Sequence, residues 1–310
     1  MDIVSKRKWY FFISALILIP GILSLMIPPW INPGIDFSSG SAIEIGFADE
    51  VLEDDVRAVL GELGHSDARI QRLASDTVFV RMQELKEGEL PKIIAALTSG
   101  VGTVRGVPQV DTVSAEVAGE TVRNAIIAVS IAAMGILFFI TWSFRHIPNS
   151  FRYGVAALLA LGHDVLIIVG IFSILGKAID LEVNAMFIVG LLAVAGYSVN
   201  DTIVVFDRIR ENVARNIDRP FGESVNISIM ESMGRSLGTS LTTLFALLAL
   251  LLIGGSTLRE FLLVLMIGVL AGTYSSIFIA SQFLVMWNRG ELGRFFRLVT
   301  LRRPRVAGNS

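Results

Sequence analysis

Two acids, a histidine and an arginine occupy positions in or beside long apolar stretches of the sequence. His163 and Asp164 are neighbours inside one stretch, and Asp201 follows Asn200 inside another. Arg235 directly precedes a third stretch. A carboxylate removed from water must pair with a cation or take up a proton, so these residue types could transfer protons by alternating between the two states. His163 is a second candidate proton carrier.

The composition indicates that these stretches lie in a membrane. Apolar residues make up 53% of the 310 residues and charged residues 17%, against roughly 25% charged residues in an ordinary soluble domain. The mean hydropathy is +0.66. The chain has no cysteine and three histidines, which excludes thiol chemistry and leaves little for a metal centre. Without a phosphate-binding loop either, we expect no metal and no cofactor.

The two buried acids also have a purely structural explanation. Hydrogen bonds from Asp164 and Asp201 to a neighbouring helix would tie apolar helices together, at typically about 1 kcal/mol per contact. The candidate hydroxyl groups are those of Thr239, Ser240, Thr242 and Thr243. An intramembrane hydrolase built on Ser198, His163 and Asp164 is a further alternative, but no G-x-S-x-G turn surrounds Ser198.

Six stretches are long and apolar enough to cross about 30 Å of hydrocarbon, which takes roughly 20 helical residues. The predicted spans are residues 9–27, 124–144, 153–176, 183–206, 236–258 and 261–288. The first span follows a basic segment, 1–8, but no small-residue cleavage site ends it, so we expect a retained helix and not a signal peptide. The predicted fold class is therefore a polytopic α-helical membrane protein with six transmembrane helices.

The distribution of basic residues predicts the orientation. With the N-terminus inside, the cytoplasmic segments hold 16 of the 26 Lys and Arg residues. These segments include the loop 207–235 and a basic tail, 289–310. The two short outside loops hold Lys177 and Arg259 only. We therefore expect both termini in the cytoplasm and segment 28–123 on the outer, periplasmic side.

Segment 28–123 is predicted to form a small acidic domain between the first and second spans, with 16 acidic and 8 basic residues. Alternating or β-rich runs predict strands at residues 41–47, 68–73, 77–82 and 107–117. Apolar stripes predict helices over 52–63 and 90–97. The order β-α-β-β-α-β is the ferredoxin-like pattern of an α+β domain, a fold that hosts many functions.

The residues around Asp201 repeat with helical spacing. Gly196 and Asn200 are four positions apart, as are Tyr197 and Asp201. This spacing predicts small and polar groups on one side of the fourth membrane helix.

The fourth apolar stretch continues into a charged segment, Asp207-Arg208-Ile209-Arg210-Glu211-Asn212. Asp207 with Arg210, and Glu211 with Arg215, have the spacing of helical ion pairs. We therefore expect an amphipathic helix in the loop 207–235 with its charged face in solvent. A docking surface for a partner is the alternative.

Residues 196–212 resemble, almost throughout, the fourth-helix signature of the SecF members of the SecD/SecF protein-export family. Supporting matches are His163-Asp164-Val165, Arg235-Ser236-Leu237 and Leu265-Met266-Ile267-Gly268. Gly34-Ile35-Asp36-Phe37 matches the family motif after the first helix, but Ser38-Ser39-Gly40-Ser41 stands where the family usually has a Gly-Gly pair. Ser39 tolerates a positive φ less well than glycine does.

The resemblance covers essentially the whole chain and implies one half of a twelve-helix unit of the RND superfamily, completed by SecD. It implies partners: SecD, the SecYEG channel, the translocating preprotein and membrane lipid, with YajC and YidC as further candidates and no nucleic acid. The implied activity is non-enzymatic promotion of late polypeptide translocation across the bacterial inner membrane, with the proton gradient as energy source. In the family, the residues that match Asp201 and Arg235 belong to the proton pathway.

Two other functions stay open at this point. A proton-coupled RND-type exporter of small molecules belongs to the same superfamily, but about 80 residues of outer domain leave little room for a drug-sized pocket. A passive scaffold that stabilises SecD is the other alternative. It predicts that neutralising Asp201 leaves export unchanged.

Overall fold

The computed structural model describes residues 2–147, 149–253 and 258–291. These residues form two compact units. The helical unit comprises the described residues of Met1–Trp30, Val129–Ile174 and Met186–Ser310, and the α+β unit comprises Ile31–Ala128 and Leu175–Ala185. Residues 254–257 of the predicted fifth span and most of the predicted basic tail, 292–310, lie outside the described residues.

The elements follow one another along the chain as helices, then a small sheet with helices, then helices again. They are α1 (Arg7–Met26), α2 (Ile35–Ser38), β1 (Gly40–Phe47), α3 (Glu53–Glu62), β2 (Arg69–Ala74), β3 (Thr77–Met82), α4 (Glu89–Gly100), β4 (Val104–Val113), α5 (Ala115–Ser143), α6 (Ser150–Ala178), α7 (Ala185–Arg215), α8 (Phe221–Ile253), α9 (Arg259–Ser275), a π-helix (Ser276–Ala280) and α10 (Ser281–Asn288).

In the described part of the chain, six helical segments are long and apolar enough to cross a membrane. The last segment joins α9, the π-helix and α10 over Arg259–Asn288. The prediction of a polytopic helical protein with six apolar helices is confirmed at this level of length and composition.

The helices α7 and α8 are longer than the predicted spans 183–206 and 236–258. The segment 207–235 therefore consists of the end of α7, residues 216–220 and the start of α8. The charged end of α7 carries the ion pairs that the spacing predicted. Arg210 Nη2 lies 2.6 Å from Asp207 Oδ1, and Arg215 Nη2 lies 2.5 Å from Glu211 Oε1.

Arg208 links the end of α7 to α8. Its Nε lies 2.7 Å from Glu231 Oε2 on α8, and its Nη1 pairs with Glu211. Asn212 Nδ2 donates to the same Glu231 carboxylate at 2.8 Å. The charged segment thus joins two helices as well as facing solvent.

Stacked aromatic rings join α6, α7 and the residue after α5 near Asp201. Phe144 and Tyr153 stack with ring centroids 5.3 Å apart, and Phe206 of α7 contacts both rings edge-on at 6.2 and 5.4 Å. All three side chains are 5% exposed or less. Since Phe206 lies five residues after Asp201, this packing helps to fix the rotation of α7 about its axis.

Glycines let α9 approach α7 closely. A Cβ at Gly268 would lie 2.1 Å from Val194 Cγ2, and a Cβ at Gly272 would lie 2.9 Å from Ser198 Cβ. The four-residue spacing of these glycines is the small-residue packing pattern of membrane helices. This close approach brings the hydroxyl groups of the two helices within hydrogen-bonding reach.

The sheet of the α+β unit is antiparallel with strand order β2-β3-β1-β4. Ile70, Val80, Ile43 and Val110 form one row of cross-strand neighbours through all four strands. The core of the unit is completed by Val56 and Leu60 of α3 and by Ile93 and Leu97 of α4, all 1% exposed or less. The period-two and period-3.6 patterns therefore meet in one apolar layer.

The extended prediction for residues 107–117 was wrong at its end. The strand β4 ends at Val113 and α5 already begins at Ala115. Ser114 Oγ accepts the N–H of Val117 at 3.4 Å, which is the contact of a helix N-cap. Ala115 and Glu116, which follow the capping serine, are strong helix formers, so the helix begins there.

Backbone strain is present where the chain departs from the family's Gly-Gly pair. Ser39 has a φ of 60° and Gly40 a φ of 126°. A Cβ at Gly40 would lie 2.5 Å from the carbonyl oxygen of Met82. Glycine is therefore required at position 40, while Ser39 adopts the left-handed conformation at some energetic cost.

Gly268→Ala is expected to lower the free energy of unfolding by about 1–3 kcal/mol, because the added methyl group overlaps Val194. The matched control is Gly135→Ala on α5, where an added Cβ meets no atom of the described residues within 4 Å. Thermal unfolding in detergent, followed by tryptophan fluorescence, measures both. Equal melting temperatures for the two variants would contradict the close α7–α9 contact.

Glu182 makes the stability of the chain depend on pH. Burial raises the pKa of this carboxyl above its ordinary value of 4.5, and the nearby Arg81 lowers it by less. The folded chain therefore holds the proton more tightly than the unfolded chain does. The resulting stabilisation is complete below the ordinary pKa and is lost as the pH rises through the raised pKa. Glu182→Gln should flatten the curve of melting temperature against pH in that window, and an unchanged curve would contradict the burial effect.

Candidate functional site

Asp201 is buried between α7 and α8 with one of its two oxygens unpaired. The residue is 6% exposed. Its Oδ1 accepts a hydrogen bond from Ser236 Oγ of α8 at 2.8 Å. Its Oδ2 is buried and has no hydrogen-bond partner among the described residues. A carboxylate in this environment is stabilised by taking up a proton.

Arg235 precedes Ser236 on α8 but does not hold the Asp201 carboxylate. Its side chain is exposed, and no ion pair within 4.0 Å joins the two residues in the described ranges. Arg235 is instead the neighbour in sequence of Ser236, which does bind Asp201. Sequence reasoning missed Ser236 as the hydrogen-bond partner, although it stands next to Arg235 in the family motif. Pairing of Asp201 with Arg235 in a second state stays a prediction.

Asp164 on α6 differs from Asp201 because both of its oxygens are paired. The residue is fully buried. Its Oδ2 accepts hydrogen bonds from Ser198 Oγ of α7 at 2.7 Å and from Ser275 Oγ of α9 at 2.8 Å. Its Oδ1 lies 3.1 Å from His163 Nδ1. Asp164 therefore ties three helices together.

His163 connects Asp164 to α1. Its Nε2 lies 3.0 Å from Ser14 Oγ, and its ring stacks on that of Tyr274 with centroids 6.4 Å apart. Ser198 contacts Asp164, and the imidazole contacts the other oxygen of the same carboxylate. The three residues lack the serine–histidine hydrogen bond on which a hydrolase depends.

Two successive hydroxyl groups, Ser275 at the end of α9 and Ser276 at the start of the π-helix, reach α6 and α7. Ser275 donates to Asp164. Ser276 Oγ lies 2.7 Å from Thr202 Oγ1 and donates to the carbonyl oxygen of Ser198 at 3.2 Å. Such π-segments inside α-helices are frequent at functional sites.

The hydroxyl groups that were expected to bind the two acids have other partners. Thr239 Oγ1 donates to the carbonyl of Arg235 at 3.0 Å. Thr242 and Thr243 donate to the carbonyl of Thr239 at 2.8 and 3.0 Å. Ser240 Oγ lies 2.5 Å from Thr273 Oγ1 of α9. This prediction was wrong, because a threonine hydroxyl reaches a carbonyl three or four residues back in its own helix.

The signature residues of α7 differ in their exposure. Gly196 and Asn200 are exposed, and a Cβ at Gly196 would meet no described atom within 4 Å. Tyr197 is half-buried, and its hydroxyl lies 3.5 Å from Ser240 Oγ. Along this side of α7, exposure falls from Gly196 and Asn200, which are open, through Tyr197 to the buried Asp201.

The motif after the first helix lies in the α+β unit. Gly34 precedes α2, which contains Asp36 and Phe37. The Asp36 Oδ2 atom accepts the N–H of Ala185, the first residue of α7, at 2.7 Å. Sequence analysis assigned no role to this aspartate.

Among the described residues, no three His, Asp or Glu side chains lie close enough together to hold a metal ion. The arrangement around Asp201 can instead bind and release a proton. It joins a buried carboxyl, a serine hydroxyl and a nearby guanidinium.

Residues 93–290 match the family model described as protein export membrane protein SecD/SecF, C-terminal. The chain belongs to this family. It is 41% identical over 310 residues to the protein translocase subunit SecF of Thermobaculum terrenum, covering 96% of this chain and 97% of that relative. Family membership and six apolar helices make it a multi-pass membrane protein.

Relatives named SecDF are longer than this chain. The SecDF protein of Bacillus subtilis is 34% identical, over 94% of this chain and 38% of that protein. The crystal structure of SecDF from Thermus thermophilus matches with a TM-score of 0.82 and 33% identity, over 93% of this chain and 39% of that chain. This chain therefore spans about two fifths of the SecDF proteins it matches.

A hydrophobic carbodiimide should modify Asp201 faster than Asp164 in native membranes. A protonated carboxyl group gives its proton to a carbodiimide nitrogen and then adds through an oxygen to the carbodiimide carbon, for which Asp201 offers an unpaired oxygen. Peptide mass spectrometry measures the extent of labelling at both sites. Asp201→Asn is the control, in which labelling of the α7 peptide should vanish. Equal or faster labelling of Asp164 would contradict the assignment of the free oxygen.

Proposed function

We propose that the chain is a non-enzymatic subunit of the Sec protein-export machinery in the bacterial inner membrane. Together with SecD, it uses the proton gradient to promote late stages of polypeptide translocation. The observation that carries the proposal is the buried, unpaired Oδ2 of Asp201 inside the family's fourth-helix signature. Relatives that are named translocase subunits SecF and SecDF support the export role.

Proton binding at Asp201 would change the contact between α7 and α8. The protonated carboxyl keeps the hydrogen bond from Ser236 and carries no charge. After proton release, the negatively charged carboxylate attracts Arg235, which directly precedes Ser236 on α8. One charge that crosses a 100 mV potential releases about 2.3 kcal/mol, enough to shift a two-state packing equilibrium by a factor of about fifty.

The polar anchor at Asp164 would keep the rest of the helices in place during this change. Its carboxylate already has three partners, on α6, α7 and α9. We therefore assign the moving proton to Asp201, and to Asp164 and His163 the task of holding α1, α6, α7 and α9 together. We also propose that both termini and the tail 289–310 lie in the cytoplasm, which the excess of basic residues in these segments supports.

The α+β unit is proposed to be a ferredoxin-like domain on the periplasmic side. Its element order β-α-β-β-α-β and its antiparallel strand order support this fold. Its position between two apolar helices, and the scarcity of basic residues beside it, support the periplasmic location. Movements of α7 would then act on the translocating polypeptide through this domain.

SecD is the first proposed partner, because the SecDF relatives join a region like this chain to a longer protein. The SecYEG channel is the second, with YajC and YidC as further candidates. The geometry supports a non-enzymatic role, since His163 binds Asp164 and Ser14 rather than Ser198.

Translocation of a preprotein into sealed vesicles that contain SecYEG, SecD and this chain tests the proposal. Asp201→Asn is nearly isosteric and removes the titration. It should reduce the translocation rate with a proton gradient to the rate without one. We expect the gradient-dependent part of the rate to be lost because the variant cannot release a proton at position 201.

The matched control is Asp218→Asn, the same chemical change at an exposed residue between α7 and α8. It should keep the full response to the gradient. Co-purification with SecD shows whether each variant assembles. If assembled Asp201→Asn keeps the full gradient response, the proposal is refuted and a passive scaffold for SecD becomes the better explanation.

A further inference from the structure

The chain before α2 and the chain before α7 pair with each other inside the α+β unit. The N–H of Val183 donates to the carbonyl of Asn32 at 2.8 Å, and the N–H of Gly34 donates to the carbonyl of Val183 at 2.7 Å. Pro33 and Val183 form a parallel β-bridge. We call residues 31–38 and 179–185 together the α7 joint.

Side chains of the sheet hold both strands of the α7 joint. Arg81 of β3 pairs with Glu182 Oε1 at 2.8 Å and donates to the carbonyl of Pro33 at 2.6 Å. Arg69 of β2 donates to Asn32 Oδ1 at 2.6 Å. The Arg81 and Glu182 side chains are only 14% and 19% exposed, so solvent screens their ion pair weakly. The joint is therefore built into the sheet.

Asp36 closes the joint at the start of α7. Its Oδ2 accepts the N–H of Ala185 across 149 positions of sequence. The first N–H groups of a helix have no partner within the helix, and a carboxylate there also interacts favourably with the helix dipole. Asp36 thus supplies, from α2, an acceptor for the first N–H of α7.

Close backbone approach at the joint depends on Gly34. A Cβ at this position would lie 3.2 Å from Glu182 Oε2 and 3.3 Å from Asn184 Cβ. The two motif residues Gly34 and Asp36 therefore share one structural task, which is to seat the segment that leads into α7.

We propose that Asp36 is a positioning residue: by capping Ala185 it makes the α7 joint a rigid link at the start of α7, on which gradient-driven export depends. Asp201 lies 16 residues after Ala185 on the same helix, or about 24 Å along its axis. This inference rests on the proposed function, because the load transmitted through the link is the proton-driven movement of α7.

The first test measures the joint itself and does not depend on export. Hydrogen exchange of the full chain in complex with SecD is followed in peptides that cover the start of α7. Asp36→Ala should speed exchange there by about fivefold, since the cap is lost. Asp36→Asn keeps an acceptor oxygen and should retain most of the protection. Unchanged exchange in Asp36→Ala overturns the proposal.

The second test measures gradient-driven translocation in the vesicles described above. Asp36→Ala should lose most of the gradient-dependent rate, and Asp36→Asn should restore it. Asp111→Asn, at an exposed residue of β4, is the control for loss of one charge from the same unit. If Asp36→Ala exchanges faster but keeps the full gradient response, Asp36 is only a cap and the rigid-link proposal is refuted.

A covalent lock tests the rigidity directly. The bridge partners Pro33 and Val183 can be replaced as Pro33→Cys and Val183→Cys in a chain that has no other cysteine. The oxidised disulfide should leave gradient-driven translocation within about twofold of the reduced form. Arrest on oxidation, reversed by reduction, would show that the joint must open and would overturn the proposal.

Failure of the proposed function gives a different result. In that case Asp201→Asn keeps the gradient response, whereas the exchange experiment still reports whether Asp36 caps α7. If Asp201→Asn loses the response and Asp36→Ala does not, the proton site stands and the link is refuted.

Discussion

The burial of carboxyl groups among apolar helices is the constraint on which the helical unit depends. A carboxylate out of water needs hydrogen-bond donors, a cation or a proton. Asp164 obtains its partners from three helices, and this requires α7 and α9 to approach closely, which the glycines of α9 permit. The position of one acid therefore explains both the small residues and the serine hydroxyls around it.

Asp201 shows the other outcome of the same constraint. It has one hydroxyl partner, Ser236, and one oxygen that is unpaired among the described residues. A carboxyl group whose oxygens are all hydrogen-bonded holds helices in place, whereas one with an unpaired oxygen can change its protonation state. The two acids would be hard to rank by residue type alone, and their hydrogen bonds distinguish a fully paired carboxyl group from one with an unpaired oxygen.

Much of the architecture follows from patterns that are local in the sequence. Length and hydropathy determine the six apolar helices, because the hydrocarbon thickness sets the number of residues needed. The period-two and period-3.6 repeats indicate the strands and helices of the α+β unit, except at residues 114–117, where Ser114 caps the start of α5 and ends the predicted strand early. The hydrogen-bond partners of the buried acids could not be read from such local patterns. Thr239, Thr242 and Thr243 instead donate to carbonyl groups of their own helix.

By itself, the sequence determined that Asp164, Asp201 and their motif would lie in apolar helices, since those residues stand inside uncharged stretches of fixed minimum length. Only the tertiary structure decided that Ser236 binds Asp201, that His163 is directed away from Ser198, and that Asp36 caps a helix 149 residues later. Each of these contacts depends on the rotation and approach of elements that are distant in sequence. Hydrogen bonds form only within about 3 Å, so partner choice is settled by packing.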